Sequence, residues 1–193
     1  YWRNWWDVYG LGKIGTLEGV IFGEFKFIDN FPKDCKWIGY GLDFGYSNDV
    51  TALTRVGLNQ GDIYLEQLLY ETGLTNNDIS DKMHELGIKR EEIIADSSEP
   101  KSIEELRRLG WNIKGVRKGK DSVVNGIDLM KRYKYHITKQ SIDLIKEWRG
   151  YSWKKEKNGH ELLNIPIDTL NHAIDGIRYF MQYKIKNTFK KQF

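Results

Sequence analysis

The sequence predicts a mixed α/β fold, a sheet flanked by helices, and two observations carry that prediction. Three successive runs rich in β-forming residues, separated by turn residues, open the main body of the chain as an antiparallel meander. Helical and strand-like segments then alternate to the end, the signature of parallel strands joined by helices. The chain of 193 residues is 40% hydrophobic and 30% charged, which suits one domain of ordinary size with a real core.

Residues 1–36 are Gly-rich and aromatic, closing near Pro32, and read as a lead-in that packs on the domain, with a strand over 19–27. The chain opens inside an aromatic segment at Tyr1, so it reads as part of a longer protein. Residues 37–44 and 51–58 form the first two strands of the meander. Asn59-Gln-Gly61-Asp62 supplies a turn, and 63–70 is the third strand. Thr75 opens a helix that Gly87 stops. A short buried strand at 92–96 is followed by a helix over 102–109 with Pro100 in its first turn. A strand at 111–116, a helix over 121–132, a strand at 135–138 and a helix over 141–148 continue the alternation.

Segments 151–155 and 160–163 flank Asn158-Gly159, a hairpin turn dipeptide. The last helix is expected from Asp168, as its N-cap after Pro166, to about Ile185. Leu170, Ile174, Ile177 and Met181 would mark its buried side. The main domain would span 37–185, with a hairpin about 151–163 and a basic tail over 186–193.

No stretch approaches the roughly 18–20 apolar residues of a membrane helix, and no signal peptide is visible. A single cysteine, Cys35, excludes an internal disulfide framework and suits a reducing cytoplasm. One cysteine and four scattered histidines do not make a zinc site of the usual spacing. The sequence contains no Gly-x-x-x-x-Gly-Lys-Ser/Thr phosphate loop.

Three aspartates carry the chemistry. Asp43 ends Ile38-Gly-Tyr-Gly-Leu-Asp43, Asp96 ends Ile93-Ile-Ala-Asp96, and Asp175 lies on the last helix, mid-helix by this reading. An aspartate after a strand is commonly a turn former or a cap; three delivered by separate elements can surround a pair of divalent cations. Such pairs, about 4 Å apart, hydrolyse phosphodiesters, and carboxylates are the ligands hard cations prefer. His172 and Arg178, three residues either side of Asp175, share its helical face, and His172 could shuttle a proton or orient a carboxylate. Asp168 is two turns, about 10 Å, from Asp175, too far to share its metal.

The net charge of +3 is mild, but basic residues cluster. Lys118-Gly-Lys120-Asp-Ser122 places two lysines and a hydroxyl at a loop-to-helix junction, which suits a DNA phosphate. Further clusters lie at 131–134, 154–157 and 184–191.

Tyr40-Gly-Leu-Asp43-Phe-Gly, Ile94-Ala-Asp96-Ser-Ser-Glu-Pro-Lys101, Lys118-Gly-Lys-Asp-Ser122 and Asn171-His-Ala-Ile-Asp175-Gly-Ile-Arg-Tyr179 occur in that order. Together they resemble the C-terminal nuclease domain of tailed-phage terminase large subunits over nearly the whole chain. The resemblance implies a ribonuclease H-like fold and a Mg²⁺- or Mn²⁺-dependent endonuclease that cuts concatemeric phage DNA. It matches Asp43, Asp96 and Asp175 to the family's metal-binding positions and His172 to a histidine beside the third. It also implies double-stranded DNA, an upstream ATPase domain, a small subunit and the portal as partners, no membrane, and the host bacterial cytoplasm as location. Gly176 stands where an alanine is common.

Three other readings stay open on the residues alone. A resolvase or transposase would apply the same chemistry to another DNA shape. An actin-like or sugar-kinase ATPase would use Asp43-Phe-Gly as a phosphate turn, but needs two domains and gives Asp175 no role. A non-catalytic DNA-binding or motor-docking module would keep the aspartates without cutting.

Overall fold

The computed structural model describes residues 19–45, 48–117, 119, 121–156 and 161–189, with backbone alone considered for Trp37 and beyond Lys184. Strands β2 (Trp37–Asp43), β3 (Val50–Asn59) and β4 (Asp62–Thr72) form the expected meander, β2 against β3 and β3 against β4. The β3–β4 loop is two residues long. Gln60 and Gly61 both have positive φ (49° and 90°), the geometry whose twist matches a tight hairpin.

Beyond the meander, β5 (Glu92–Asp96) lies parallel to β2, and β6 (Ile113–Val116) parallel to β5. On the other side, β7 (Tyr135–Thr138) runs parallel beside β4. The edge there is β1 (Lys26–Ile28), parallel to β7. The seven-stranded order is therefore β1-β7-β4-β3-β2-β5-β6.

Helices cover both faces. α1 (Asn76–Glu85) and α2 (Pro100–Arg108) lie on one face, where Ile79, Met83, Ile103 and Leu106 pack with Leu42, Leu53, Ile93 and Ala95. α1 begins with a capping box: the Thr75 hydroxyl accepts from Asp78 N–H, and the Asp78 carboxylate accepts from Thr75 N–H. α3 (Ser122–Met130), α4 (Ile142–Gly150) and α5 (His172–Phe189) lie on the other face. There Ile127, Trp148, Ile174, Ile177 and Phe180 pack with Ala52, Val56, Ile94 and Ile137. The alternation within β5 shows the division: Ile93 and Ala95 face one core and Ile94 the other.

A separate two-stranded hairpin, β8 (Trp153–Lys155) and β9 (Leu162–Pro166), leads into α5. The Asn158-Gly159 turn lies outside the described residues. The segment read as a strand over 19–27 is instead a single bridge, Val20 with Ser152, followed by β1. Phe22 from this segment stacks on Trp148 at 4.4 Å.

The start of the last helix differs from the sequence reading. α5 begins at His172, not at Asp168, and Leu170 precedes it with φ +56°, outside the right-handed helical region. The chain after β9 is still tied to the hairpin, since Ile167 N–H donates to the Ser152 carbonyl at 2.9 Å. Asp168 is not the cap; its carboxylate pairs with Lys154 at 2.6 Å. Asp175 consequently stands in the first turn of α5, where a carboxylate is favoured by the helix dipole, and not mid-helix. At its other end α5 runs to Phe189, into the stretch read as a basic tail. No helix among the described residues is long and apolar enough to cross a membrane.

Candidate metal centre

Asp43 and Asp96 end adjacent parallel strands, one register step beyond the Leu42–Ala95 pair. Leu42 and Ala95 point into the α1–α2 core, so the next residues along both strands point to the α5 face. α5 can lie close against β2 because two glycines meet. A Cβ on Gly41 would sit 2.0 Å from the Gly176 carbonyl oxygen, and one on Gly176 would sit 3.0 Å from the Gly41 backbone. This contact, one residue from Asp175, presses the first turn of α5 toward the strand ends.

Two of the three carboxylates share a partner, and the third lies near enough to feel the charge of both. The Tyr179 hydroxyl lies 3.2 Å from Asp96 Oδ2 and 3.4 Å from Asp175 Oδ2. His172 Nδ1 lies 3.3 Å from Asp43 Oδ2. Asp96 Oδ1 accepts from Ser98 N–H at 2.9 Å. Arg178, fully buried, grips Asp175 with two nitrogens at 3.2 and 3.0 Å and lies over the Tyr179 ring.

Burial is the main cause that pushes the Asp43 carboxyl up to about 6, against the His172 hydrogen bond, which lowers it; the Asp175 and Asp96 carboxylates push it further up. The same hydrogen bond raises the His172 imidazole above its ordinary value, against burial. Burial likewise raises the Tyr179 phenol, so it stays a neutral donor to the carboxylates.

Among the described residues, no three acidic, histidine or cysteine groups stand as a ready-made cation cage. The donor set nevertheless fits a hard divalent ion. It is all carboxylate oxygen, two members already share one phenolic proton, and the third carries a charge the other two oppose. A cation among them would relieve that crowding. Arg178 and Tyr179 now hold oxygens that it would use.

Of the residues read from sequence as phosphate-binding, Lys118 and Lys120 lie outside the described residues. Ser122 opens α3, and its carbonyl accepts from Gln182 Nε2. Sequence reasoning missed Glu147, a fully buried carboxylate on α4. Its Oε1 accepts from the Tyr70 hydroxyl at 2.8 Å and His172 N–H at 3.0 Å, and Oε2 accepts from Ile174 N–H at 3.1 Å. Burial pushes it up to about 7, against these hydrogen bonds. One signal could have found it: Glu147 sits three residues after Leu144 and beside Trp148, on the apolar stripe of its helix.

Comparison with known proteins identifies the family. Residues 43–182 match the family model of the terminase RNase H-like domain. The terminase large subunit of Bacillus phage SPP1 is 31% identical over 180 residues, 88% of this chain and 40% of that protein. The PBSX phage terminase large subunit of Bacillus subtilis (strain 168) is 29% identical over 142 residues, 33% of that protein. The chain thus spans well under half the length of these relatives. Among solved structures, the SPP1 large terminase nuclease domain with bound Mn superposes with a TM-score of 0.71 at 25% identity, covering 84% of this chain and 98% of that one. The nuclease of thermophilic phage G20c with bound magnesium shares the fold, with a TM-score of 0.59 at 16% identity, over 86% of this chain and 96% of that one. With the family model spanning all three aspartates and the sheet order and α5 crossing in place, the chain belongs to the RNase H-like nuclease-domain family of terminase large subunits.

Proposed function

We propose that the chain is a divalent-metal-dependent DNA endonuclease that cuts concatemeric viral DNA during genome packaging. The observation that carries this reading is the convergence of Asp43, Asp96 and Asp175 from β2, β5 and α5, with Asp43 pushed up to about 6 inside the group. These three aspartates would hold two Mg²⁺ or Mn²⁺ ions. Bound there, the ions would supply a water nucleophilic near neutral pH and positive charge opposite the scissile phosphate.

The chain's own residues do the rest. Arg178 and Tyr179 orient Asp175 and Asp96 from behind, as partners of ligating carboxylates commonly do. His172 Nδ1, beside Asp43, can hold or pass a proton at the edge of the site. Lys118, Lys120 and Ser122 would meet backbone phosphates, and the hairpin about 151–163 would flank the DNA path. Contacts of that kind position a duplex without reading its bases. An ATPase domain, a small subunit and the portal are the partners this role requires, in the cytoplasm of a bacterial host.

The test is cleavage of supercoiled plasmid in Mg²⁺, Mn²⁺ or EDTA, run beside Asp96→Asn. Metal-dependent nicking and linearisation that Asp96→Asn abolishes, with the fold retained by circular dichroism, is the expected result. Cleavage that survives EDTA or the substitution would overturn the reading.

A further inference from the structure

Glu147 is an ionisable side chain with no exposed surface, and nothing in the proposed chemistry uses it. The first N–H groups of any helix have no partner within the helix. A polar residue just ahead of the helix usually supplies one, at far lower cost than a buried carboxylate. In α5 the acceptor comes instead from another helix. Glu147 takes the N–H of His172 and Ile174, and a hydroxyl from β4, that of Tyr70, completes its shell.

The consequence is geometric. The loop before α5 turns at Leu170, and Asn171, just ahead of the helix, gives only its backbone carbonyl, to Asp175 N–H at 2.6 Å, while its buried side-chain oxygen accepts from nothing among the described residues. The helix start is tied to α4 and β4, the elements behind the site. That same first turn carries His172, whose ring reaches Asp43 and stands edge-on to Tyr70, and Asp175, which shares the Tyr179 proton with Asp96. A slide or rotation of α5 by about 1 Å would misalign both at once, and errors of that size cost catalysis heavily.

We propose that Glu147 is a positioning residue: it clamps the first turn of α5 so that His172 and Asp175 stay opposed to Asp43 and Asp96. This rests on the nuclease reading above. A helix cap with no such role would affect stability alone.

The experiment uses the whole chain with Glu147→Gln and Tyr70→Phe. Glutamine keeps the size but turns an NH₂ group toward donors that need an acceptor. Mn²⁺ binding is followed by electron paramagnetic resonance, and plasmid cleavage at saturating and limiting DNA, at a temperature where circular dichroism shows every variant folded. The expected result for Glu147→Gln is a loss of about ten- to hundredfold in Mn²⁺ affinity and kcat, the range for groups that orient ligands from behind. KM for plasmid should stay within about twofold, since no DNA contact is removed. Tyr70→Phe should move the same quantities in the same direction by less. A folded Glu147→Gln chain with wild-type Mn²⁺ affinity and kcat overturns the proposal, whatever its melting temperature. Where Glu147→Gln does not fold, a folded Tyr70→Phe chain that matches wild type overturns it. If the wild type itself neither binds Mn²⁺ nor cuts, the nuclease reading fails, and this inference falls with it.

Discussion

Replacing Asp43 with asparagine should make the metal-free protein more stable while removing its activity. The Asp43 side chain is only 16% exposed, and its carboxyl is pushed from 3.8 up to about 6 by burial, against the His172 hydrogen bond, and by the neighbouring carboxylates. A folded-state pKa above the unfolded value means the fold binds that proton more tightly. Stability from this group is therefore present below about pH 4, declines as pH rises toward 6, and is gone above it. At pH 8 the ionised carboxylate costs the fold on the order of 3 kcal/mol. Asparagine cannot ionise, so it escapes this cost, and its carbonyl still accepts from His172. That cost is already net of the charge-assisted hydrogen bond with His172, which lowers the Asp43 carboxyl. His172 itself has a raised pKa, so its contribution is greatest at low pH and lost as it deprotonates. The expectation at pH 8 in EDTA is a gain of about 2–3 kcal/mol, or roughly 5–10 °C in Tm for a chain of this size. Thermal melts read by circular dichroism at pH 8 and pH 5 test it. The gain should fall by about half at pH 5, and Mn²⁺ should raise the wild-type Tm but not that of the variant. A variant that melts below wild type at pH 8 in EDTA would show that the Asp43 carboxylate stabilises the fold, and would refute the charge-crowding argument.

Gly41→Ala should cost more than about 3 kcal/mol or prevent folding, because its methyl would sit 2.0 Å from the Gly176 carbonyl on a helix that cannot retreat. Gly176→Ala should fall within about 1 kcal/mol of wild type. Its methyl meets the Gly41 backbone at 3.0 Å, and alanine favours the helix by about 1 kcal/mol; urea titrations that rank the two the other way would contradict the crossing described here. Asp168→Ala should change stability by less than about 0.5 kcal/mol, since its partner Lys154 is a surface contact and the side chain is 86% exposed. A loss above about 1 kcal/mol would restore it as a helix cap. The double substitution Lys118→Ala with Lys120→Ala should weaken duplex binding and flatten its log–log salt dependence by about 2, one counterion per lysine. An unchanged slope in fluorescence anisotropy would remove both lysines from the DNA path.

Much of this was legible in the sequence because the signals were local. The meander followed from β-rich runs around Asn59-Gln-Gly61-Asp62, and β5 and β7 took the expected bounds. α1 began where Thr75 and Asp78 announced a cap. The aspartates were visible because each ends or opens an apolar element. What could not be read was non-local. The start of α5 was misplaced because the side-chain acceptor for its first turn is Glu147, 25 residues earlier in the chain from His172, and not Asn171 just ahead of the helix. Local rules therefore favoured Asp168, the nearest capping residue after a proline. The placement of β7 beside β4, and of β1 beyond it, depends on parallel pairing that leaves no turn signature.

Two separate devices hold α5 over the strand ends, and they act on different motions. The Gly41–Gly176 contact sets the height of the helix above the sheet. It is made of backbone, so it cannot be loosened a little; either the helix sits against β2 or the core beneath Ile177 and Phe180 opens. Backbone contact at one point leaves the helix able to rotate about its axis and slide along it. Glu147 opposes both motions, because the N–H groups of residues 172 and 174 sit at different places around the first turn and one carboxylate takes both. Height therefore comes from a contact that folding itself requires, and orientation from a buried carboxyl group that folding could have done without. The proposed site needs the second as well as the first, because the Asp43 and Asp175 carboxylates repel and that repulsion acts to turn Asp175 away.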